Sequence, residues 1–434
     1  MEEILERAHR LAEKADVFLI SSEETPVQFE ANRLKNILSK QSTTLALRVV
    51  KGGRIGYAST TILNDVNKLV DNAIETAQFG MPAKFDLPGP LAYPEVAVFD
   101  PAVAAVSMES MIELGEKMLT AVRHHTPEIV AEAEVLKAAI SVRFMNSAGA
   151  QSTYRKSIFV LGAGGALIRG TDMLFVGESR SSCRPVQDTE AITEVVINQL
   201  ELARNNASVP TRQMPVIFTP QGVAEAFLPS LMSAFNGKIV LEGASPVGAK
   251  IGQTVFDTKF SLRDDPTLPY QTRSRVCDDE GIPSQGTTLI ADGVVSGFLY
   301  DLQTAGMAGK KSTGNGSRGS GGLLFASPSA FVIAPGNVTF AEMVADIKEG
   351  LVVEQLMGAE QGNILGGDFS GNVLLGYKIE NGKITGRVKD TMVAGNVYRI
   401  LKDIAAIGRD TKWLGGMVCA PHIYCPSLSV SSKA

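Results

Sequence analysis

Three side chains near the C-terminus could do chemistry together. Cys419, His422 and Cys425 follow one another at a spacing of three in MVCAPHIYCPS, in a chain that has only four cysteines and four histidines. Thiolate and imidazole are the ligands that zinc prefers, four for a structural site and three plus a water for a catalytic one. The local pattern argues against convergence on one ion. Residues three apart on an extended strand point to opposite faces, the following SLSVSS alternates like a terminal strand, and Pro421 and Pro426 disfavour a helix. Buried packing of the cysteines is therefore the expectation from these residues; a metal or thiol site at Cys419, His422 and Cys425 is the alternative.

Other candidates are weaker. His124 and His125 end a helical segment, where cations suit the helix dipole, and adjacent residues do not share a helix face. The stretch GKKSTGNGSRGSGG contains G-x-G-x-x-G at Gly314, Gly316 and Gly319, but no strand precedes it and no helix follows, as a dinucleotide fold requires. A flexible loop lining a cleft is the reading that remains. The run Asp278-Asp279-Glu280 could supply a general acid or base, or could cap the turn before Gly281 and Pro283. There is no G-x-S-x-G elbow, so no Ser/His/Asp set can be chosen.

Periodicity gives the elements that must position these residues. Ile4, Leu5, Ala8, Leu11, Ala12 and Ala15 form one helical stripe. Strand-like runs follow (DVFLIS, PVQFEANRL, and TTLALRVVKGGRIGYAST with a Gly52-Gly53 turn), then a second helix from Asp65. Residues 81–106 are proline-rich and aperiodic, which suggests a linker or a surface-wrapping connection. The helix, strands, helix order then repeats over 107–208. From residue 209 to 434 glycines and strand signals dominate, with hairpin turns at Asp292-Gly293 and Asn381-Gly382, a helix over 221–236 interrupted by Pro229, and another over about 396–407. The expected fold class is α+β: two N-terminal helix and antiparallel-strand subdomains (1–80 and 107–208), then a mainly antiparallel β domain with a few helices.

A chain of 434 residues with 44% hydrophobic and 20% charged residues can bury a substantial core. A formal net charge of −5 and the lack of Lys/Arg-rich runs leave no electrostatic case for direct nucleic-acid binding. The charged start MEEILERAHRLAEKA does not read as a signal peptide, and no run reaches the roughly 18 apolar residues of a membrane span. Four cysteines make no disulfide framework, so a cytoplasmic location is expected.

Several blocks, in order, carry a resemblance: Asp279-Glu280-Gly281, Thr313-Gly314-Asn315-Gly316, Gly367-Asp368-Phe369-Ser370, Ile379-Glu380-Asn381-Gly382 and Ala394-Gly395-Asn396. Over roughly residues 275–410 they resemble the TldD/PmbA family, once labelled modulator of DNA gyrase. In that family the TldD branch is a metallopeptidase. It bears H-E-x-x-x-H on a helix opening the C-terminal domain, with a cysteine near the C-terminus completing the metal set, and the glutamate activates the bound water. The corresponding stretch here, residues 219–246, contains no histidine. The chain thus looks like the PmbA (TldE) branch.

That resemblance implies a partner role. This chain would carry no metal, and zinc would sit in a TldD-like partner. Together, or as a homodimer, the subunits would act on peptides or unfolded chains in proteolysis or peptide maturation. An independent peptidase built on Cys419, His422 and Cys425 is the competing expectation, and a homodimeric peptide binder a third. Thr313, Gly314, Asn315 and Gly316 are the candidate substrate-binding residues, because extended peptides add to strand edges beside such loops.

Overall fold

The computed structural model describes residues 1–433. The N-terminal part runs α1 (Glu2–Leu11), β1 (Lys14–Glu30), β2 (Arg33–Ile37), β3 (Lys40–Lys51), β4 (Arg54–Thr60), α2 (Val66–Ala77), α3 (Pro101–Ala105), α4 (Met108–His125), β5 (Val130–Asn146), β6 (Gln151–Arg169), β7 (Asp172–Ser182) and α5 (Glu190–Leu202). Among the described residues these strands form one seven-stranded antiparallel sheet in the order β4-β3-β1-β5-β6-β7, with β2 beside β1. The order is symmetric about the β1–β5 seam, and each half is helix, strands, helix. The two helix-and-strand units are therefore halves of one sheet.

Alternation explains the layering. Odd-numbered residues of β1, β3, β5 and β6, such as Val17, Leu47, Val135, Phe159 and Leu161, face the helices. Ile4, Ala8, Leu69, Val70 and Ala73 of α1 and α2 cover one half, and Met111, Met118, Val122, Ile192 and Val196 of α4 and α5 cover the other. Even-numbered residues face the opposite way; Phe18, Val142 and Phe144 form a smaller cluster there, flanked by half-buried Ile20, Ile140 and Tyr154.

The rest of the chain continues β8 (Asn206–Ala207), β9 (Arg212–Phe218), α6 (Pro220–Ala234), α7 (Gly237–Leu241), β10 (Leu262–Asp264), β11 (Thr287–Ala291), β12 (Val294–Val295), α8 (Leu302–Ala308), β13 (Gly316–Arg318), β14 (Leu324–Ala326), β15 (Phe331–Ile333), α9 (Phe340–Ala345), β16 (Glu349–Met357), β17 (Asp368–Glu380), β18 (Lys383–Val388), β19 (Thr391–Asn396), α10 (Val397–Ile400), β20 (Ala406–Leu414) and β21 (Val418–Ser432). Twelve of the strands make a mainly antiparallel sheet in which β21 lies against β9, β15, β19 and β20. The molecule is thus α+β, mainly antiparallel. Helix α6 packs on this second sheet: Val223, Ala226, Phe227 and Leu231 share a core with Val216, Phe218, Phe369 and Ile423. Among the described residues no helix is long and apolar enough to cross a membrane.

Turn chemistry follows the sequence closely. Gly52-Gly53, Asp292-Gly293 and Asn381-Gly382 all have positive φ at both positions, as tight hairpin turns require. Elsewhere the structure corrects the sequence reading. DVFLIS and PVQFE are one 17-residue strand, β1, and Ala31-Asn32 (φ 48° and 68°) makes the turn into a separate β2. Pro229 does not interrupt its helix, which runs unbroken from Pro220 to Ala234; burial of Ala226, Phe227 and Leu231 offsets the lost N–H. The helix expected over 396–407 shrinks to Val397–Ile400, because Ala406 and Ile407 pair instead with Tyr424 and Ile423.

The proline-rich stretch ties the first sheet to the loops and helix α8 of the second part of the chain. Tyr93 donates to the Gly281 carbonyl (3.1 Å), Tyr270 N–H to Ala97 O (2.6 Å), Ser157 N–H to Val98 O (3.0 Å) and Gln303 to Pro82 O (3.0 Å). Phe85 and Val98 are buried along it.

Candidate functional site

The C-terminal strand separates the three soft ligands. Cys425 enters the core beneath α6, and Val418 and Ala420 on either side of Cys419 do the same, so Cys419 is left outside that core. The His422 ring stacks on Phe340 with centroids 4.7 Å apart, and burial pushes its pKa down to about 4, leaving it neutral. Burial raises both thiols, so neither is a ready thiolate. Among the described residues no three His, Cys, Asp or Glu side chains come together as a metal-holding set. Cys419, His422 and Cys425 are not brought together as such a set. The buried residues of α6 are Pro220, Gly222, Val223, Ala226, Phe227, Ser230, Leu231 and Ala234, none of them a histidine, cysteine or carboxylate. The residues present do not fit a zinc ion.

A dense charge network fills the junction between the sheets. Asp16 on β1 and Arg48 on β3 are cross-strand partners, with Arg48 Nε donating to Asp16 Oδ2 at 2.6 Å. Arg48 also donates to Glu280 Oε1 at 2.5 Å, while the Leu302 N–H at the start of α8 donates to Glu280 Oε2 at 2.7 Å. Arg318 on β13 pairs with the other oxygen of Asp16. Asp278 binds its own turn, accepting from Glu280 and Ile282 N–H (2.9 and 2.8 Å) and from Gly316 N–H (2.8 Å). Burial is the largest influence on both carboxyls and pushes Asp278 up to about 6 and Glu280 up to about 8, against the pull of Arg275 and Arg48 respectively. Of the acidic run, Asp278 and Glu280 are committed to holding the junction. Asp279 alone reaches a cavity.

The Thr313–Gly316 loop is part of this junction. Asn315 is 1% exposed; its amide donates to Asp264 Oδ2 (2.6 Å) and Ser327 O (3.1 Å), and its carbonyl accepts from Thr313 Oγ (2.7 Å). Gly314 holds φ +75°, and a Cβ on Gly316 would lie 2.6 Å from a Glu280 oxygen. Gly314, Asn315 and Gly316 are buried and Thr313 half-buried, so this segment, expected to meet peptide, has its polar side-chain atoms already paired inside the protein.

Beside the loop lies a cavity of about 510 Å³. Its floor is the even-numbered face of the first sheet: Ile20, Ile140, Val142, Ile158 and Val160. Register sets Ile20 opposite Val142, Val142 opposite Tyr154, and Ile140 opposite Lys156. The wall comes from the second part of the chain, with Arg273, Arg275, Asp279, Ser317 and Ser329. Burial, with Arg273 and Arg275 nearby, lowers Lys156 to about 8. Lys156, Arg273 and Tyr154 were not singled out in the sequence. One signal was there: in YRKSIFV, Lys156 shares its strand face with Tyr154, Ile158 and Val160, a cation on an apolar face.

Two family models match: PmbA/TldA metallopeptidase domain 1 over residues 15–77, and the PmbA/TldA metallopeptidase C-terminal domain over residues 211–432, about half of the chain. The chain belongs to the PmbA/TldD family. Similar members include an uncharacterized protein of Methanocaldococcus jannaschii, 27% identical over 92% of this chain and 93% of that one. A metalloprotease TldD homologue of Haemophilus influenzae is 24% identical over 95% of this chain and 89% of its own length. Among solved structures, TldE from Thermococcus kodakarensis superposes with a TM-score of 0.89 at 22% identity, covering 100% of both chains. The PmbA/TldD fold therefore extends over the whole chain.

Proposed function

We propose that this chain is a non-catalytic PmbA/TldE-type subunit of a TldD-type metallopeptidase assembly acting in proteolysis or peptide maturation. One observation carries the reading. The helix that opens the C-terminal domain, where the metal-bearing branch is expected to present its histidines, here buries Ala226, Phe227 and Leu231 in a dry apolar core. The groups nearby support the same reading: both thiols are raised by burial, His422 is held neutral against Phe340, and Glu225 on this helix is tied to Gln221 and the Leu356 N–H. What the chain can contribute is shape and binding groups, including the cavity beside the junction. Zinc would reside in the partner, and the substrate would be a peptide or unfolded chain. The cytoplasm suits such an assembly, since Cys183, Cys277, Cys419 and Cys425 are all free.

Affinity purification from the native cell tests the pairing. A TldD-like chain recovered in stoichiometric amount is expected. Recovery of this chain as a self-associated, zinc-loaded and independently active peptidase would overturn the proposal.

A further inference from the structure

The cavity beside the junction has an uncompensated positive charge. Lys156 Nζ donates once, to Ser274 O at 2.9 Å, and among the described residues no carboxylate lies within 4.0 Å of it. Arg273 makes one long bond, Nε to Ser329 O at 3.4 Å, and likewise has no carboxylate partner among the described residues. The Tyr154 hydroxyl has no hydrogen-bond partner among them either. The carboxylate that lines the cavity, Asp279, is already engaged by Arg275 at 3.7 Å and by the Arg318 N–H at 2.8 Å. Two cations and a phenol thus line one cavity above an apolar floor, and neither cation is in ion-pair contact with a carboxylate among the described residues. Such an arrangement favours a monoanion with a hydrocarbon body, which gains charge-assisted hydrogen bonds where water is partly excluded.

We infer that this cavity takes the C-terminal end of a peptide, its free carboxylate held by Lys156, Arg273 and Tyr154 and its last apolar side chains laid on Ile20, Ile140, Val142 and Ile158. The volume of about 510 Å³ suits one or two residues. A fatty acid shares the carboxylate and the apolar body. The peptide is favoured because Ser179, Ser181, Thr272, Ser317 and Ser329 also line the space, and a plain acyl chain would desolvate those hydroxyls without bonding them. The inference rests on the peptide-handling role proposed above and assigns this chain the task of recognising a chain terminus.

The test uses the purified full chain and a fluorescent hexapeptide ending in two valines, as the free acid and as the C-terminal amide, with octanoate as a competitor. The acid is expected to bind roughly tenfold more tightly than the amide or better, as one lost charge-assisted contact would cost. That preference is expected to disappear in Lys156→Met and to shrink in Arg273→Met, each checked for unchanged thermal unfolding. Arg273 is exposed, so its replacement remains informative if Lys156→Met does not fold. Equal binding of acid and amide, or an acid preference that survives both substitutions, would overturn the inference. So would octanoate displacing the peptide at concentrations far below those at which the peptide binds. Co-purification with a TldD-like chain is scored in parallel: if it persists while the acid preference fails, terminus recognition falls and the partner role stands.

Discussion

Arg48 shows how single residues hold this molecule together. It is 1% exposed, bridges Asp16 and Glu280, and lies over the Phe85 ring at 4.4 Å. Arg48→Met is expected to cost about 3–5 kcal/mol, because two carboxylates lose their buried partner; urea unfolding measures this, and a loss near zero would contradict the network. Glu280 sets a pH dependence of definite sign. Its folded pKa, about 8, lies above the ordinary 4.5, and that of Asp278, about 6, above 3.8. The folded chain therefore retains protons that the unfolded chain has released, so this contribution is full at low pH and is lost as pH rises through about 6 and then 8. Glu280→Gln is expected to flatten the decline in Tm over that window, and an unchanged slope would count against this assignment. None of these pairings was legible in advance. Asp16 is unremarkable in sequence, and only the fold brings it and Glu280, more than 200 residues apart, to 2.6 and 2.5 Å from one guanidinium. The acidic run itself was visible, as was its capping role; the partner that gives it meaning was not.

At the scale of elements, turns and helix stripes were legible because they are local. Gly52-Gly53, Asp292-Gly293 and Asn381-Gly382 specify their backbone through residue type alone, and α2 starts at Asp65, whose side chain accepts from Lys68 N–H at 3.1 Å. The joining of two units into one sheet was not legible, because the β1–β5 seam pairs residues more than 100 positions apart and alternation does not name a strand's neighbour. Helix α6 is where local rules misled. Pro229 marks a break by propensity, yet tertiary burial keeps the helix whole. Pro229→Ala is expected to raise stability by about 1–3 kcal/mol by restoring an intrahelical bond and removing a ring clash. Thermal unfolding checks it, and a lower Tm would show that the surrounding packing requires the proline ring. The C-terminal strand separates the soft ligands: Cys425 goes to one core, and His422 to an aromatic stack outside it.

For the whole molecule, one chain supplies two large sheets, a strap that hydrogen-bonds the first sheet and the loops and α8 of the second part, and a charged junction flanked by a cavity. Two of the five family blocks that carry the resemblance fall on this junction, and the other three lie along β17, its hairpin turn and β19. Asp279-Glu280-Gly281 and Thr313-Gly314-Asn315-Gly316 are two halves of one buried contact, joined by the Gly316 N–H to Asp278 hydrogen bond at 2.8 Å. Glycine, asparagine and carboxylates serve both binding and architecture, and here most of their polar atoms are paired within the protein. Apart from Asp279, the open cavity next to them is built from residues outside these blocks. The central claim is that hydrolysis belongs to the assembly and not to this chain. The most direct measurement is cleavage of an unfolded polypeptide by this chain alone, by a TldD-like chain from the same cell alone, and by the two mixed, with zinc content determined for each. Cleavage that needs the TldD-like chain, with zinc in that chain and no activity from this one alone, is the expected result. Zinc-dependent cleavage by this chain alone would contradict the account.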